Sequence, residues 1–191
     1  MNKWVIDKSF SFCYGHRVHN QKLDVRFTER GDACLACRHI HGHEGLIKLF
    51  VSGPSSNVEQ TGMVTDFKNL GWLKDFVDDV LDHKLILDID DPIIEHELPD
   101  YMKIGLLDHD RLDYHPWGYW TPILPDKPED PVGLAIYEKY EGIVLVDFVP
   151  TSENLASWIL DIARDKMSPL TDVEVVAVEY WETPKSHCRV V

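Results

Sequence analysis

The sequence predicts an α+β domain. Three observations carry that prediction. Apolar and polar residues alternate near both chain ends, two later segments repeat apolar residues at helical spacing, and prolines crowd the middle of the chain. A chain of 191 residues suits one domain with a real core, so residues 1–191 are expected to form a single domain.

Each element follows from its local pattern. Residues 2–14 read as a first strand, and the polar stretch 20–36 as a connection. Residues 38–52 read as a second strand, with Leu46, Lys48 and Phe50 on one face and Ile47 and Leu49 on the other. A turn over 51–57 and a short strand over 58–65 follow. Asp66 suits an N-cap, and Phe67, Leu70, Leu73, Val77, Val80 and Leu81 predict a helix over 67–81, ending near Asp82-His83. A second helix is predicted over 152–166, after Pro150-Thr151, with Leu155, Trp158, Ile159, Ile162 and Ala163 as its apolar stripe. The last strand is 172–182, where Val176, Val178, Tyr180 and Glu182 share a face. Between 86 and 148 the pattern degrades. Prolines at 92, 99, 116, 122, 125, 128 and 131 argue against long helices there, and only 142–148 reads as a strand. The aromatic run Tyr114–Trp120 reads as part of an inserted loop, a lid or a subunit contact.

Composition narrows the function. Hydrophobic residues at 44% and charged residues at 27% fit a soluble globular protein. No apolar run reaches the roughly 18 residues of a membrane helix, and Met1–Asp7 lacks a signal-peptide core, so a cytoplasmic protein is expected. A net charge of −14 disfavours nucleic acid and anionic membrane as partners. It leaves room for an anionic small molecule held by a local basic cluster. Cys13, Cys34, Cys37 and Cys188 are expected to be thiols or metal ligands.

Three histidines carry most of the chemistry. His41-Gly42-His43 on an extended segment places both imidazoles on one face. His16 on a neighbouring strand would complete a three-nitrogen zinc site whose fourth position is open, the catalytic arrangement. Cys37 would place a thiol close by as base or nucleophile. His39 shares the face of the pair by alternation and competes as a ligand. A closed structural site of Cys34, Cys37, His41 and His43 is the alternative, but it leaves His16 unused.

Five separated motifs then run in order: Phe12-x-x-x-His16-Arg17; Cys37-x-x-x-His41-Gly42-His43; Gly62-Met-Val-Thr-Asp-Phe67; Leu81-Asp82-His83; and Pro150-Thr-Ser-Glu-Asn-Leu155 followed by Glu182-Thr183. In these the chain resembles the family of 6-pyruvoyltetrahydropterin and 6-carboxytetrahydropterin synthases, over roughly 1–87 and 149–184. The resemblance implies the tunnelling fold, an antiparallel four-stranded sheet with two helices on one face. A loop-rich insertion at about 88–148 would lie outside it. Assembly into a homo-oligomer, a trimer stacked into a hexamer, is also implied.

The resemblance assigns roles as well. His16, His41 and His43 would bind Zn2+. Cys37 would be the base, with Asp82 and His83 as its proton-relay partners. Leu107-Asp108-His109 repeats that relay motif but lies in the insertion. Glu182 would anchor the pterin through two hydrogen bonds. Thr151 and Ser152 would add contacts, although simple helix capping explains them equally. The three-residue gap between Cys37 and His41 is typical of the carboxy-forming enzymes of queuosine (7-deazaguanine) biosynthesis. The implied reaction converts 7,8-dihydroneopterin triphosphate to 6-carboxy-5,6,7,8-tetrahydropterin with loss of acetaldehyde and triphosphate. The alternatives are a pyruvoyl-forming or related pterin side-chain lyase and, in another class, a non-catalytic zinc-stabilised binding protein. The chain departs from the family pattern at Glu44-Gly45, where a small or polar residue and an aromatic are usual, and in the length of its insertion. Arg17, Arg38 and Lys48 are the candidate contacts for a triphosphate.

Overall fold

The computed structural model describes residues 3–24, 26, 35–54, 58, 60–94 and 112–191. The chain forms two compact units. One holds residues 1–13, 43–82 and 151–191, and the other residues 14–42 and 83–150. Strands β1 (Trp4–His16) and β2 (His41–Gly53) each contribute to both.

In the first unit, β2 pairs antiparallel with β7 (Glu174–Thr183), and β7 with the last strand, β8 (Ser186–Val190). The predicted helix over 67–81 is a composite. A 3-10 turn at Phe67–Leu70 leads into α1 (Trp72–Phe76), which widens into a π turn at Val77–Leu81. Asp66 caps it, accepting the Lys68 N–H. The predicted stripe is buried from Leu70 onward, while Phe67 is exposed. Helix α3 (Ser152–Met167) matches its prediction to within a residue. Thr151 caps it, Glu153 lies in its first turn, and Arg164 and Lys166 lie in its last, all matched to the helix dipole. Leu155, Ile159, Leu160 and Ala163 bury its inner face in a core with Ile47, Leu49, Phe76, Val178 and Tyr180. The expected strand over 58–65 is absent: residues 58, 60 and 61 are helical.

The second unit holds the main correction to the expected fold. Residues 14–16 of β1 pair with β3 (Lys84–Asp88), which pairs with β6 (Ile143–Val146), both in parallel. Strands β4 (Leu112–His115) and β5 (Tyr119–Pro122) form an antiparallel hairpin that continues onto β6. The sheet is therefore mixed and eight-stranded, in the order β4-β5-β6-β3-β1-β2-β7-β8, rather than four-stranded and antiparallel. Strand β6 is apolar throughout and buried throughout, the signature of a strand covered on both faces. The described part of the insertion contains three strands and a helix between its loops. Its aromatic run forms the β4–β5 hairpin, with the His115 and Tyr119 rings stacked at 4.3 Å. Helix α2 (Pro131–Glu141) forms despite the prolines, because Pro131 occupies the first turn, where its missing N–H costs nothing. Asp130 caps it through the N–H groups of Val132 and Gly133. Leu87, Ile94, Tyr140, Ile143 and Leu145 form this unit's core.

Candidate active site

Alternation along β1 puts Phe12, Tyr14 and His16 on its buried face, with His16 at the end and fully buried. His16 Nδ1 lies 2.7 Å from the Pro150 carbonyl oxygen. His41 Nδ1 lies 2.7 Å from the carbonyl oxygen of His39. A carbonyl only accepts, so each Nδ1 is the donor and Nε2 is the atom turned away from that hydrogen bond. Backbone carbonyls hold metal-binding histidines in the same way, fixing tautomer and orientation. The two rings are 4.6 Å apart, and Tyr14 lies 5.1 Å from His16. Gly42, between the two β2 histidines, lets β2 run close to β1, since a Cβ there would sit 3.1 Å from the Tyr14 carbonyl oxygen.

Cys37 is half-buried on a single 3-10 turn over Ala36–Arg38. Its N–H donates to Gln21 Oε1 at 3.0 Å, and its carbonyl accepts the Val18 N–H at 2.7 Å. The turn is thereby tied to the segment that follows His16. His83 is exposed, with φ at 58°, a left-handed conformation that a non-glycine residue holds only at a cost. Nearby, Arg17 Nε lies 3.0 Å from Asp91 Oδ2, and His19 Nε2 3.0 Å from Asp88 Oδ2. Arg17 Nε is not aligned for a directed hydrogen bond, so its attraction to Asp91 is Coulombic.

The other unit carries the remaining predicted residues. His43 Nε2 lies 3.2 Å from Glu182 Oε1. Ser152 Oγ donates to Glu182 Oε2 at 3.4 Å. Thr151 accepts the Asn154 N–H at 3.3 Å, the capping role. Asp82 ends the π turn, and its Oδ1 accepts the Cys13 N–H of β1 at 2.8 Å. Glu182 is the extra residue of a β-bulge: Trp181 pairs with His187 and Thr183 with Ser186, two steps on β7 against one on β8. A bulge of this kind re-aims a side chain.

Two triphosphate candidates are otherwise engaged. Arg17 faces Asp91, and Arg38 donates to the Gln21 carbonyl. Lys48, five residues on from His43, lies on the opposite face of β2, over the Trp181 ring at 5.3 Å. His39 supplies its carbonyl to His41. Cys34 and the Leu107-Asp108-His109 repeat lie outside the described residues. Sequence reasoning missed the Pro150 and His39 carbonyls, the bulge at Glu182 and the two buried aspartates. The proline that marks the start of α3 was the one available hint of the first.

A family model described as 6-pyruvoyl tetrahydropterin synthase matches residues 5–191. The chain belongs to that family. More particularly, it is 28% identical over 192 residues to the 6-carboxy-5,6,7,8-tetrahydropterin synthase of Aquifex aeolicus, covering 96% of this chain and 95% of the relative. The structure of an uncharacterized protein from Wolinella succinogenes is similar at 42% identity and a TM-score of 0.84, over 100% of this chain and 98% of that one. The 6-pyruvoyl tetrahydropterin synthase of Caenorhabditis elegans shares the fold at 20% identity and a TM-score of 0.53, over 100% of this chain and 96% of that one. Among the described residues, no helix is long and apolar enough to cross a membrane.

Proposed function

We propose that this chain is a zinc-dependent lyase of the 6-carboxytetrahydropterin synthase type. It would take 7,8-dihydroneopterin triphosphate and water to 6-carboxy-5,6,7,8-tetrahydropterin, acetaldehyde and triphosphate, a step of queuosine biosynthesis. The observation that carries the reading is the pair of imidazoles, His16 and His41, each with Nδ1 on a backbone carbonyl and Nε2 left as the donor atom. His16, His41, His43 and Glu182 could hold a metal ion; the three imidazoles would be its ligands, with Glu182 kept for the pterin. Three imidazole nitrogens with an open fourth position suit a catalytic zinc. The Cys37-to-His41 spacing and the Aquifex relative support the carboxy-forming reaction.

When bound, zinc supplies Lewis acidity to the substrate's side-chain hydroxyls. Cys37, held on its short turn, would act as the base that takes a proton from the side chain. Asp82 and His83 would be the partner relay that exchanges protons with the substrate side chain. Glu182 accepts the pterin's 2-amino and N3–H hydrogen bonds, which fixes the ring. Ser152 orients Glu182, and Thr151 adds a hydroxyl at the same helix start. The protein would work in the cytoplasm as a homo-oligomer, a trimer stacked into a hexamer, with no nucleic-acid or membrane partner.

The test is to incubate the zinc-loaded protein with 7,8-dihydroneopterin triphosphate and identify products by mass spectrometry, with Cys37→Ala alongside. Carboxytetrahydropterin and acetaldehyde, lost in the variant, are expected. A pyruvoyl product would move the chain to the other branch of its family. No turnover, with zinc held through Cys34 and Cys37, would replace the enzyme reading by that of a zinc-stabilised binding protein.

A further inference from the structure

The last strand lies outside the five sequence motifs, yet it reaches the residue proposed to anchor the pterin. Register places Cys188 of β8 opposite Tyr180 of β7, so both side chains point to the face that carries Glu182. Cys188 Sγ lies 3.0 Å from the Ser152 carbonyl oxygen, and the thiol is the donor. Ser152 begins α3, and its hydroxyl donates to Glu182 Oε2. Glu182 sits on a bulge of the β7–β8 ladder, and the Ser152 hydroxyl and His43 both lie against its carboxylate.

We propose that Cys188 is a positioning residue for Glu182. Its thiol tethers β8 to the first turn of α3, which holds the Ser152 hydroxyl against the carboxylate. The proposal rests on the reading of Glu182 as the pterin anchor. Burial, with the Glu153 carboxylate adding to it, pushes the Cys188 thiol above its ordinary value of 9.0. At neutral pH it is thus a protonated donor rather than a nucleophile. Serine keeps that donor at the same position, whereas valine keeps a strand-compatible shape without it.

The experiment titrates the zinc-loaded full chain with neopterin, read by the pterin's fluorescence, for wild type and four variants. Cys188→Val and Ser152→Ala should each weaken binding about fivefold, in the range of one lost hydrogen bond. Cys188→Ser should stay within about twofold, and zinc content should be unchanged in all three. Glu182→Gln should remove most binding. Cys188→Ala serves as a second donor-less variant if the valine form does not fold. Wild-type affinity in Cys188→Val, or in Cys188→Ala where the valine form does not fold, with loss in Glu182→Gln, would overturn the tether and leave the anchor intact. Wild-type affinity in Glu182→Gln would overturn the anchor. A crystal structure of Cys188→Val then decides the tether. A Glu182 carboxylate moved from its place 3.2 Å from His43 supports it, and an unmoved one overturns it.

Discussion

Gly45→Ala tests how tightly β2 is packed just after its histidines. A Cβ at Gly45 would sit 2.7 Å from Phe12 Cζ and 3.1 Å from Cε1 and Cε2. Carbon pairs settle at about 3.5–4.0 Å, so the ring must retreat by roughly 1 Å. It has little room to do so. Phe12 is 3% exposed, and the fully buried Tyr180 ring meets it edge-on at 6.0 Å. Overpacking of this kind costs about 1–3 kcal/mol, and contact with three ring atoms puts Gly45→Ala in the upper half, about 2–3 kcal/mol. At about 2–4 °C per kcal/mol for a chain of this size, Tm should fall by about 4–12 °C in calorimetry. Phe12→Leu removes the three atoms concerned and by itself costs about 1–2 kcal/mol. The double variant should be more stable than the sum of the singles by at least about 1 kcal/mol. An unchanged Tm for Gly45→Ala, or additive behaviour of the pair, would refute the packing argument.

Alanine at His16, His41 or His43 should each lower zinc affinity by more than about 100-fold, beyond the usual loss from an outer-shell partner; equilibrium dialysis with elemental analysis checks this, and full zinc retention in any one would remove that residue from the ligand set. Asp91→Ala leaves Arg17, whose side chain is 20% exposed, facing an emptied site. The cost should fall at the low end for a broken buried pair, about 3 kcal/mol by urea denaturation, and a loss no larger than that of a surface substitution would contradict it. For Cys188, burial raises the folded-state thiol above the ordinary 9.0. The stability it contributes is present below pH 9 and is lost as pH rises through the folded value, because the unfolded chain gives up its proton first. Tm of the wild type should therefore drop more steeply above pH 9 than that of Cys188→Val, and parallel curves would count against the shift. For the same reason Cys188 should react with iodoacetamide more slowly at pH 8 than the exposed Cys13 does.

Helix α3 was legible from local sequence alone: an N-cap threonine, a first-turn acid, last-turn cations and an apolar stripe all agree there. Strand β2 was legible for the same reason, since period-two alternation survives wherever a strand has one buried face. The stripe was correctly seen as buried from Leu70 onward, but not at Phe67, and its 3-10, α and π succession was not seen, because each kind of turn lasts only four or five residues and shows too few apolar positions to reveal its period. Strand β3 lacks alternation and was not expected, whereas β6 falls within the strand expected over 142–148. Their pairing is parallel and long-range, and nothing in a short apolar run names its neighbour. The β4–β5 hairpin looked like a loop because its turn residues outweigh two four-residue strands.

The candidate site divides along the same line. By itself the sequence determined which residue types are present and which of them share a strand face: His41 with His43, Leu46 with Lys48, and Tyr180 with Glu182. These relations follow from backbone geometry over two residues. Tertiary structure alone decided that the carbonyls of Pro150 and His39 hold the imidazoles, that a bulge turns Glu182, and that Cys188 closes on Ser152. His39 is only two residues from His41, but its carbonyl is a backbone group that any residue would supply. The other contacts join groups tens of residues apart or depend on how two strands are registered. A hydrogen bond across such a distance is set by the folded path of the chain, and leaves no periodicity for a sequence to display.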